Sequence, residues 1–226
     1  MKPRICVSVK ADSVSRVSRI LDASSRLGAS LVELRLDYSS EKQYEAVLKV
    51  VESSRVCCVA TIRPSWDGGA YRGSEEERLR LFEKALEAPF RYVDVEQKSR
   101  IANRVSRLAS EKGVGLILSR HEWAGTPSVK TLFRIFSTMK KRKAEIYKTV
   151  TTVRSPFDES SLLFFLSSIR GSRVVCFGMG EQGLATRILT PLLGGFMTYA
   201  SYGEALAPGQ MDLRRMVSIY RRMGVW

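Results

Sequence analysis

The chain has 226 residues, 44% of them hydrophobic and 27% charged, and this ordinary globular composition excludes wholesale disorder, a collagen-like repeat and a small disulfide scaffold. Its net charge of +14 is compatible with an anionic substrate or with nucleic acid, but the basic residues are scattered along the helical segments rather than grouped beside aromatic residues. We therefore expect no nucleic-acid partner. The longest uncharged run contains Thr, Pro and paired Gly, so we also expect no membrane-spanning helix.

The elements alternate regularly along the chain. The predicted strands cover residues 5–9, 31–37, 56–62, 91–95, 114–119, 146–153, 174–177 and 196–200. The predicted helices cover residues 13–28, 41–52, 74–87, 99–112, 128–139, 156–169, 182–189 and 212–222. Strands that alternate with helices form parallel sheets, and eight such units favour a closed (β/α)8 TIM barrel of class α/β in one domain, residues 1–226. An open doubly wound sheet is the alternative, but no GxGxxG follows the first strand.

The cysteines and the chain start bear on the cellular compartment. No signal-peptide core precedes the first strand, so we expect a cytoplasmic location. All four cysteines lie in apolar runs without the spacing of metal ligands. We expect no metal site, and four small buried hydrophobic residues: Cys6, Cys57, Cys58 and Cys176.

The second predicted strand alternates apolar and charged side chains. Period two puts Glu33, Arg35 and Asp37 on one face. In an antiparallel sheet that face could be solvated, but in a parallel barrel neither face meets bulk water. The pattern then predicts charges that compensate one another in the upper barrel and bind hydroxyls or anions.

Charged residues also stand at the ends of the third and fifth predicted strands. Arg63 ends the third strand and precedes Gly68-Gly69, a pair typical of a mobile loop or of a close approach. His121, the only histidine, follows the fifth strand. A lone histidine is ordinarily structural, but barrel active sites lie where the strands end.

Lys148 lies mid-strand among apolar and β-branched neighbours. Lysine is rarely buried without a partner, so two interpretations remain open. Lys148 is either a structural bridge to a carboxylate of the second strand, or a nucleophile whose uncharged amine attacks a carbonyl. Because the fifth and sixth strands are neighbours in a barrel, Lys148 and His121 could address one substrate atom, as Schiff-base chemistry requires.

Polar segments follow the last two strands. Residues 177–183 form a Gly-rich turn that suits either tight packing or phosphate binding, and Arg187 follows it. Residues 202–210 have the Gly- and Pro-bearing composition of a lid loop or of an inert connection, and Gln210 at its end could reach a ligand.

Taken in order, these motifs resemble those of the type I 3-dehydroquinate dehydratase family over nearly the whole chain. The motifs are Glu33-x-Arg35-x-Asp37, Thr61-x-Arg63 before Gly68-Gly69, Ser119-x-His121, Lys148, Met179-Gly180 followed by Arg187, and Ala207-Pro208-Gly209-Gln210. The resemblance implies a hydro-lyase of the shikimate pathway of aromatic amino acid biosynthesis, which converts 3-dehydroquinate to 3-dehydroshikimate. It also implies a homodimer and no metal or organic cofactor.

The resemblance also assigns roles to single residues. Lys148 would form an imine with the C3 ketone, and His121 would remove the C2 proton and then protonate the leaving C1 hydroxyl. The ring hydroxyls and the surroundings of the lysine would involve Glu33, Arg35 and Arg63. The substrate carboxylate would be held by Arg187 and Gln210.

Two positions depart from the family pattern. Asp67 stands where members carry Glu beside the catalytic histidine, and both Asp67 and Asp37 are further candidate site residues. Leu206 precedes Ala207-Pro208 where members often carry a hydroxyl residue.

Two other functions fit parts of the pattern. A class I aldolase also uses a strand lysine on this barrel, and cleavage of small phosphorylated sugars would distinguish it. A basic nucleic-acid-binding protein would bind with an affinity that falls steeply with salt and would show no carbonyl chemistry.

Overall fold

Eight strands and eight helices alternate in the computed structural model, which describes residues 2–226. The strands are β1 Ile5–Lys10, β2 Leu31–Arg35, β3 Cys57–Thr61, β4 Tyr92–Glu96, β5 Gly115–Glu122, β6 Ile146–Thr152, β7 Val174–Met179 and β8 Thr198–Ser201. The helices are α1 Val14–Leu27, α2 Glu41–Glu52, α3 Glu75–Ala85, α4 Ala102–Glu111, α5 Val129–Lys140, α6 Pro156–Ser168, α7 Leu184–Leu189 and α8 Leu213–Arg222.

The strands form one parallel sheet that is nearly closed. Their order is β7-β6-β5-β4-β3-β2-β1-β8, and the neighbouring strands in this order pair in parallel. Between β7 and the residues before β8, the backbone N–H of Phe196 donates a hydrogen bond of 2.7 Å to the Val174 carbonyl. The predicted (β/α)8 TIM barrel is confirmed.

The helices begin where local side-chain chemistry predicts. Ser74 and Glu77 form a reciprocal capping box at the start of α3, in which the Ser74 N–H donates to Glu77 Oε2 at 2.8 Å. Pro156 opens α6, where its missing N–H costs no helical hydrogen bond. These caps explain why the predicted helix starts lie close to the observed ones.

Alternation along the strands separates two apolar layers. Residues such as Val32 and Leu34 face the helices and join the larger cluster, which lies between sheet and helices. A smaller cluster, with Ile117, Val175 and Met197, fills the barrel interior. The inward positions beyond that cluster, toward the carboxyl ends of the strands, are polar, and they position the candidate site.

Two expectations about single residues are wrong. Asp37 is not on the second strand, since β2 ends at Arg35 and residues 36–38 form a short 3-10 turn. The turn brings the Asp37 carboxylate back onto the Arg35 guanidinium. Cys57 is exposed because it is the first residue of β3, at the rim of the barrel, whereas Cys6, Cys58 and Cys176 are buried as expected.

The C-terminal residue packs on its own chain. The Trp226 ring stacks on Tyr220 with ring centres 6.2 Å apart, and Lys2 Nζ lies 3.8 Å from the centre of a Trp226 ring. Across residues 2–226, no helix has the length and apolar character needed to cross a membrane.

Candidate active site

Lys148 lies inside the barrel with only 4% of its surface exposed. β6 carries it inward, and its Nζ lies 2.5 Å from Asp94 Oδ2 and 3.8 Å from Glu33 Oε1. The aromatic ring of Tyr199 lies against the same nitrogen, with its centre 4.8 Å away. Lys148 therefore has a carboxylate of the second strand nearby, as one interpretation expected, but its closer partner comes from β4.

Asp94 is a site residue that the sequence interpretation missed. Its Oδ1 accepts hydrogen bonds of 2.7 Å from Arg63 Nη2 and from Ser119 Oγ. Burial acts to raise the pKa of Asp94, but the charges of Arg63 and Lys148 outweigh it and hold this pKa well below its usual value. Asp94 therefore stays ionised between two cations.

The sequence of β4 contains a pattern from which the inward position of Asp94 can be predicted. β4 reads Tyr92-Val93-Asp94-Val95-Glu96, so its carboxylates alternate with valines just as charges alternate with apolar residues in β2. The same period-two argument predicts that Asp94 and Glu96 face the barrel interior.

Glu33 is held by hydroxyl groups from the two neighbouring strands. Ser8 Oγ donates to Glu33 Oε2 at 2.7 Å, and Thr61 Oγ1 donates to Glu33 Oε1 at 2.9 Å. The parallel register puts both neighbours beside β2, since Ser8 pairs with Glu33 and Thr61 pairs with Arg35. These bonds fix the Glu33 carboxylate beside Lys148.

Arg63 joins four polar groups on three elements. Its Nη1 lies 2.5 Å from Glu96 Oε1, 2.9 Å from Ser119 Oγ and 3.5 Å from Asp67 Oδ2, in addition to the Nη2 bond to Asp94. Burial alone would lower the pKa of Arg63, but Asp94 and Glu96 raise it well above the usual value. Arg63 is thus a permanent cation at the centre of the site.

Arg35 and Asp37 neutralise each other. The Arg35 guanidinium binds Asp37 through two parallel hydrogen bonds, of 2.9 Å from Nε and 2.7 Å from Nη2. Asp37 Oδ2 also accepts the backbone N–H of Ala70 at 2.9 Å. Arg35 faces the cavity next to Lys148, whereas Asp37 supports Arg35 from behind.

His121 lies on β5 itself, which extends to Glu122, rather than beyond the strand end. Ser119 pairs in register with Lys148 and His121 pairs with Val150, so His121 lies one inward position, or about 7 Å along the strand, nearer the mouth than Lys148. Its Nδ1 lies 2.6 Å from Asp67 Oδ2. Burial lowers the pKa of His121, Asp67 opposes that shift, and the positive charges of Arg63 and Lys148 reinforce it.

Asp67 holds both His121 and an indole. Trp123 Nε1 donates to Asp67 Oδ1 at 3.4 Å, while Oδ2 faces His121. Burial acts to raise the pKa of Asp67, but the hydrogen bond and charge of His121, helped by Arg63, hold it below the usual value. Asp67 is therefore an ionised carboxylate fixed on the Nδ1 side of the imidazole.

Arg187 on α7 and Gln210 in the segment after β8 line the same cavity. Arg187 is almost fully buried, burial lowers its pKa to about 10, and its Nη2 donates to the Pro208 carbonyl at 3.1 Å. The Gln210 amide holds its own loop, because Nε2 donates to Ala200 O at 3.0 Å and Oε1 accepts the Leu206 N–H at 2.8 Å.

A cavity at the carboxyl end of the barrel brings most of these residues together. It does not include His121, Asp67 or Asp37 in its walls. The wall residues are Ser8, Glu33, Arg35, Arg63, Lys148, Val150, Phe177, Met179, Arg187, Tyr199, Leu206, Ala207 and Gln210. Within the described part of the chain, no group of three or more His, Cys, Asp or Glu side chains is arranged to hold a metal ion.

Comparison with known proteins shows the family to which this chain belongs. The model of the type I 3-dehydroquinase family matches residues 5–225. The chain belongs to the type I 3-dehydroquinase family. The 3-dehydroquinate dehydratase of Methanocaldococcus jannaschii is 32% identical over 222 residues, covering 97% of this chain and 98% of that protein. The enzyme of the same name from Dehalococcoides mccartyi strain 195 is 38% identical over 197 residues, 86% of each chain.

Solved structures agree with the sequence comparison. The crystal structure of 3-dehydroquinate dehydratase from Geobacillus kaustophilus HTA426 superposes with a TM-score of 0.86 at 28% identity, covering 98% of this chain and 92% of that one. Membership makes this chain a hydro-lyase of the type I 3-dehydroquinate dehydratase class. The type I 3-dehydroquinase barrel here carries Asp67 in contact with its histidine and Leu206 in the cavity wall.

Proposed function

We propose that this chain removes water from 3-dehydroquinate through an imine between Lys148 and the C3 ketone, with His121 as general base and general acid. The observation that carries the proposal is the setting of Lys148, a buried amine that lies close to the carboxyl groups of Asp94 and Glu33 and one strand away from the histidine. A purely structural ion pair would need no opening, whereas this nitrogen borders a cavity lined by anion-binding groups.

The first half of the reaction forms the imine. The ammonium of Lys148 carries three hydrogens, of which one stays on the nitrogen and two leave with the ketone oxygen as water. Because the amine attacks only when it is uncharged, one proton leaves Nζ before the attack and is delivered to the ketone oxygen, where it becomes part of the departing water. The resulting iminium draws electrons from C3 and acidifies the neighbouring C2 hydrogen.

The second half eliminates water. His121 removes the C2 proton, and the electron pair forms an enamine. The pair then returns toward C1, the C1–oxygen bond breaks, and His121 gives its proton to the departing hydroxyl. Hydrolysis of the conjugated iminium restores Lys148 and releases 3-dehydroshikimate. Asp67 supports this cycle because its negative charge stabilises the imidazolium that exists between the two proton transfers.

The polar wall residues suit the rest of the substrate. We assign the substrate carboxylate to Arg187 and Gln210, which line the cavity from the segments that follow β7 and β8. Glu33, Arg35 and Arg63 are assigned to the ring hydroxyls. Each of these side chains is already held by neighbours, so binding requires little additional loss of side-chain freedom.

Trapping with borohydride tests the covalent step. Wild-type protein treated with 3-dehydroquinate and borohydride is expected to gain a stable adduct on Lys148, located by peptide mass spectrometry. Lys148→Ala should abolish both adduct and turnover, whereas Lys112→Ala, which removes an exposed lysine paired with Glu87, should change neither. Undiminished dehydratase activity in Lys148→Ala would refute the proposal.

We also propose a homodimer in the cytoplasm, with each chain forming one barrel domain over residues 1–226. The support is the resemblance over nearly the whole chain rather than any contact in a single protomer. Light scattering coupled to size-exclusion chromatography distinguishes the dimer from a 25.4 kDa monomer.

A further inference from the structure

Tyr199 carries a buried hydroxyl that has no use in the mechanism above. The residue lies on β8, is 4% exposed and contributes to the cavity wall. Among residues 2–226 its hydroxyl has no hydrogen-bond partner. The ring lies against Lys148 Nζ on one side and packs near Phe177, with ring centres 5.8 Å apart.

The unpartnered hydroxyl of Tyr199, buried at the cavity wall, indicates that a ligand atom binds to it. Buried hydroxyl groups are normally hydrogen-bonded, and leaving one unpaired costs about 1–3 kcal/mol. Phenylalanine would fill the same space at Tyr199 without that cost. The oxygen is therefore explained by an atom that arrives with the substrate.

The other hydroxyl groups around Lys148 are already committed. Ser8 and Thr61 donate to Glu33, and Ser119 donates to Asp94. Each would have to leave a carboxylate before it could bind the substrate. Tyr199 can bind without breaking any such bond.

We propose that the Tyr199 hydroxyl donates a hydrogen bond to the oxygen on C3, as substrate ketone, as carbinolamine hydroxyl and as the water that hydrolyses the product imine. The inference rests on the proposed function, because C3 must come within bonding distance of Lys148 Nζ, the nitrogen that the Tyr199 ring contacts.

The chemistry needs a donor that keeps its proton. Lys148 nitrogen bonds to C3, the carbonyl electron pair moves to oxygen, and that oxygen then leaves as water with two hydrogens that come from the nitrogen. Tyr199 stabilises the negative charge on the oxygen while it forms. Burial, together with Cys6, Glu33 and Asp94, raises the pKa of the phenol well above its usual value, so it remains protonated.

Tyr199→Phe tests the inference because it removes one oxygen and keeps the ring against Lys148. In single turnovers quenched with borohydride at successive times, the rate of adduct formation on Lys148 should fall about tenfold in Tyr199→Phe. The KM for 3-dehydroquinate should rise at the same time, because the variant also loses the hydrogen bond to the ketone of the bound substrate. The melting temperature of the free variant should be unchanged or higher, since no hydrogen bond of the free protein is lost.

Tyr220→Phe is the matched control. Its hydroxyl is buried away from the cavity and donates to the Ile188 carbonyl at 2.9 Å, so this variant should lose thermal stability and keep the wild-type rate of adduct formation. A wild-type rate of adduct formation in Tyr199→Phe would overturn the inference, and so would a loss of melting temperature equal to that of Tyr220→Phe. If the wild-type protein itself yields no adduct, the proposed function fails instead, which keeps the two failures distinct.

Discussion

At the scale of single residues, the contact between Asp67 and His121 depends on a tightly folded loop. A Cβ atom on Gly69 would lie 1.9 Å from the Arg63 carbonyl oxygen, and one on Gly68 would lie 2.4 Å from the Trp123 ring. Gly68 also has a φ of +78°, which other residues rarely adopt. The two glycines let the loop lie directly against β3 and Trp123, so the short side chain of Asp67 still reaches the imidazole.

Asp67→Asn should shift the pH dependence of catalysis. The Asp67 hydrogen bond and charge raise the pKa of His121 against the effect of burial, so removing the charge should lower that pKa further. Because a general base works in its neutral form, the acidic limb of kcat/KM should move to lower pH. We expect kcat to fall by roughly 10–100-fold, since the imidazolium loses its counter-charge.

Asp67→Glu is the control for this experiment, because it keeps the charge and lengthens the side chain. Its pH profile should stay close to that of the wild type. An acidic limb that stays in place in Asp67→Asn, or moves to higher pH, would contradict the assigned role of Asp67.

At the scale of elements, a chain of buried ion pairs connects α3 to the lysine of β6. Arg78 Nη1 donates to Glu96 Oε2 at 2.8 Å, Glu96 Oε1 binds Arg63, and Arg63 and Lys148 share Asp94. Arg78 is fully buried and also donates to the Ile62 carbonyl at 3.1 Å. The helix thereby holds the end of β3, from which Arg63 extends into the site.

Arg78→Met should destabilise the protein by about 3–5 kcal/mol, because it leaves the buried carboxylate of Glu96 with one fewer cation. Urea denaturation followed by circular dichroism measures the free energy of unfolding. Arg104→Met is the matched control, since Arg104 pairs with Glu76 at the surface and should contribute no more than about 1 kcal/mol. Equal losses of unfolding free energy in the two variants would show that the buried ion pairs stabilise the protein no more than a surface ion pair does.

At the scale of the whole molecule, the buried charges balance. Residues 2–226 contain five buried carboxylates and five buried cations: Glu33, Asp37, Asp67, Asp94, Glu96, Arg35, Arg63, Arg78, Lys148 and Arg187. The net charge of +14 therefore belongs to side chains outside the buried set. It does not define the chemistry of the site.

Stability should fall as the pH is lowered from 7 to 4, and more steeply below about pH 4. The pKa of His121 is lowered on folding, so the unfolded chain takes up that proton first as acid is added. The pKa values of Asp67 and Asp94 are also lowered, so their stabilisation is complete above the unfolded carboxyl pKa and is lost below it. Glu96 has a raised pKa and opposes this trend.

Urea unfolding at several pH values and two salt concentrations measures this effect. Added salt screens repulsion between surface charges but reaches buried pairs much less. The fall in unfolding free energy should therefore persist at high salt. A pH dependence that disappears with salt would assign it to surface charge instead of to the buried carboxylates and histidine.

The sequence by itself determined the alternation of elements, and with it the barrel, because hydrophobic period and helix caps are local properties. It also indicated the inward face of β2 and the isolated Lys148 of β6. The same local rule applies to Asp94 and Glu96 on β4, where charges alternate with valines, although the sequence interpretation missed these two residues. Only the tertiary structure decided which charges meet, because closing the sheet brings together residues far apart in the chain, such as Asp67 with His121 and Asp94 with Lys148. Partner choice depends on strand register and on the paths of the loops, and neither is encoded in the pattern of any one segment.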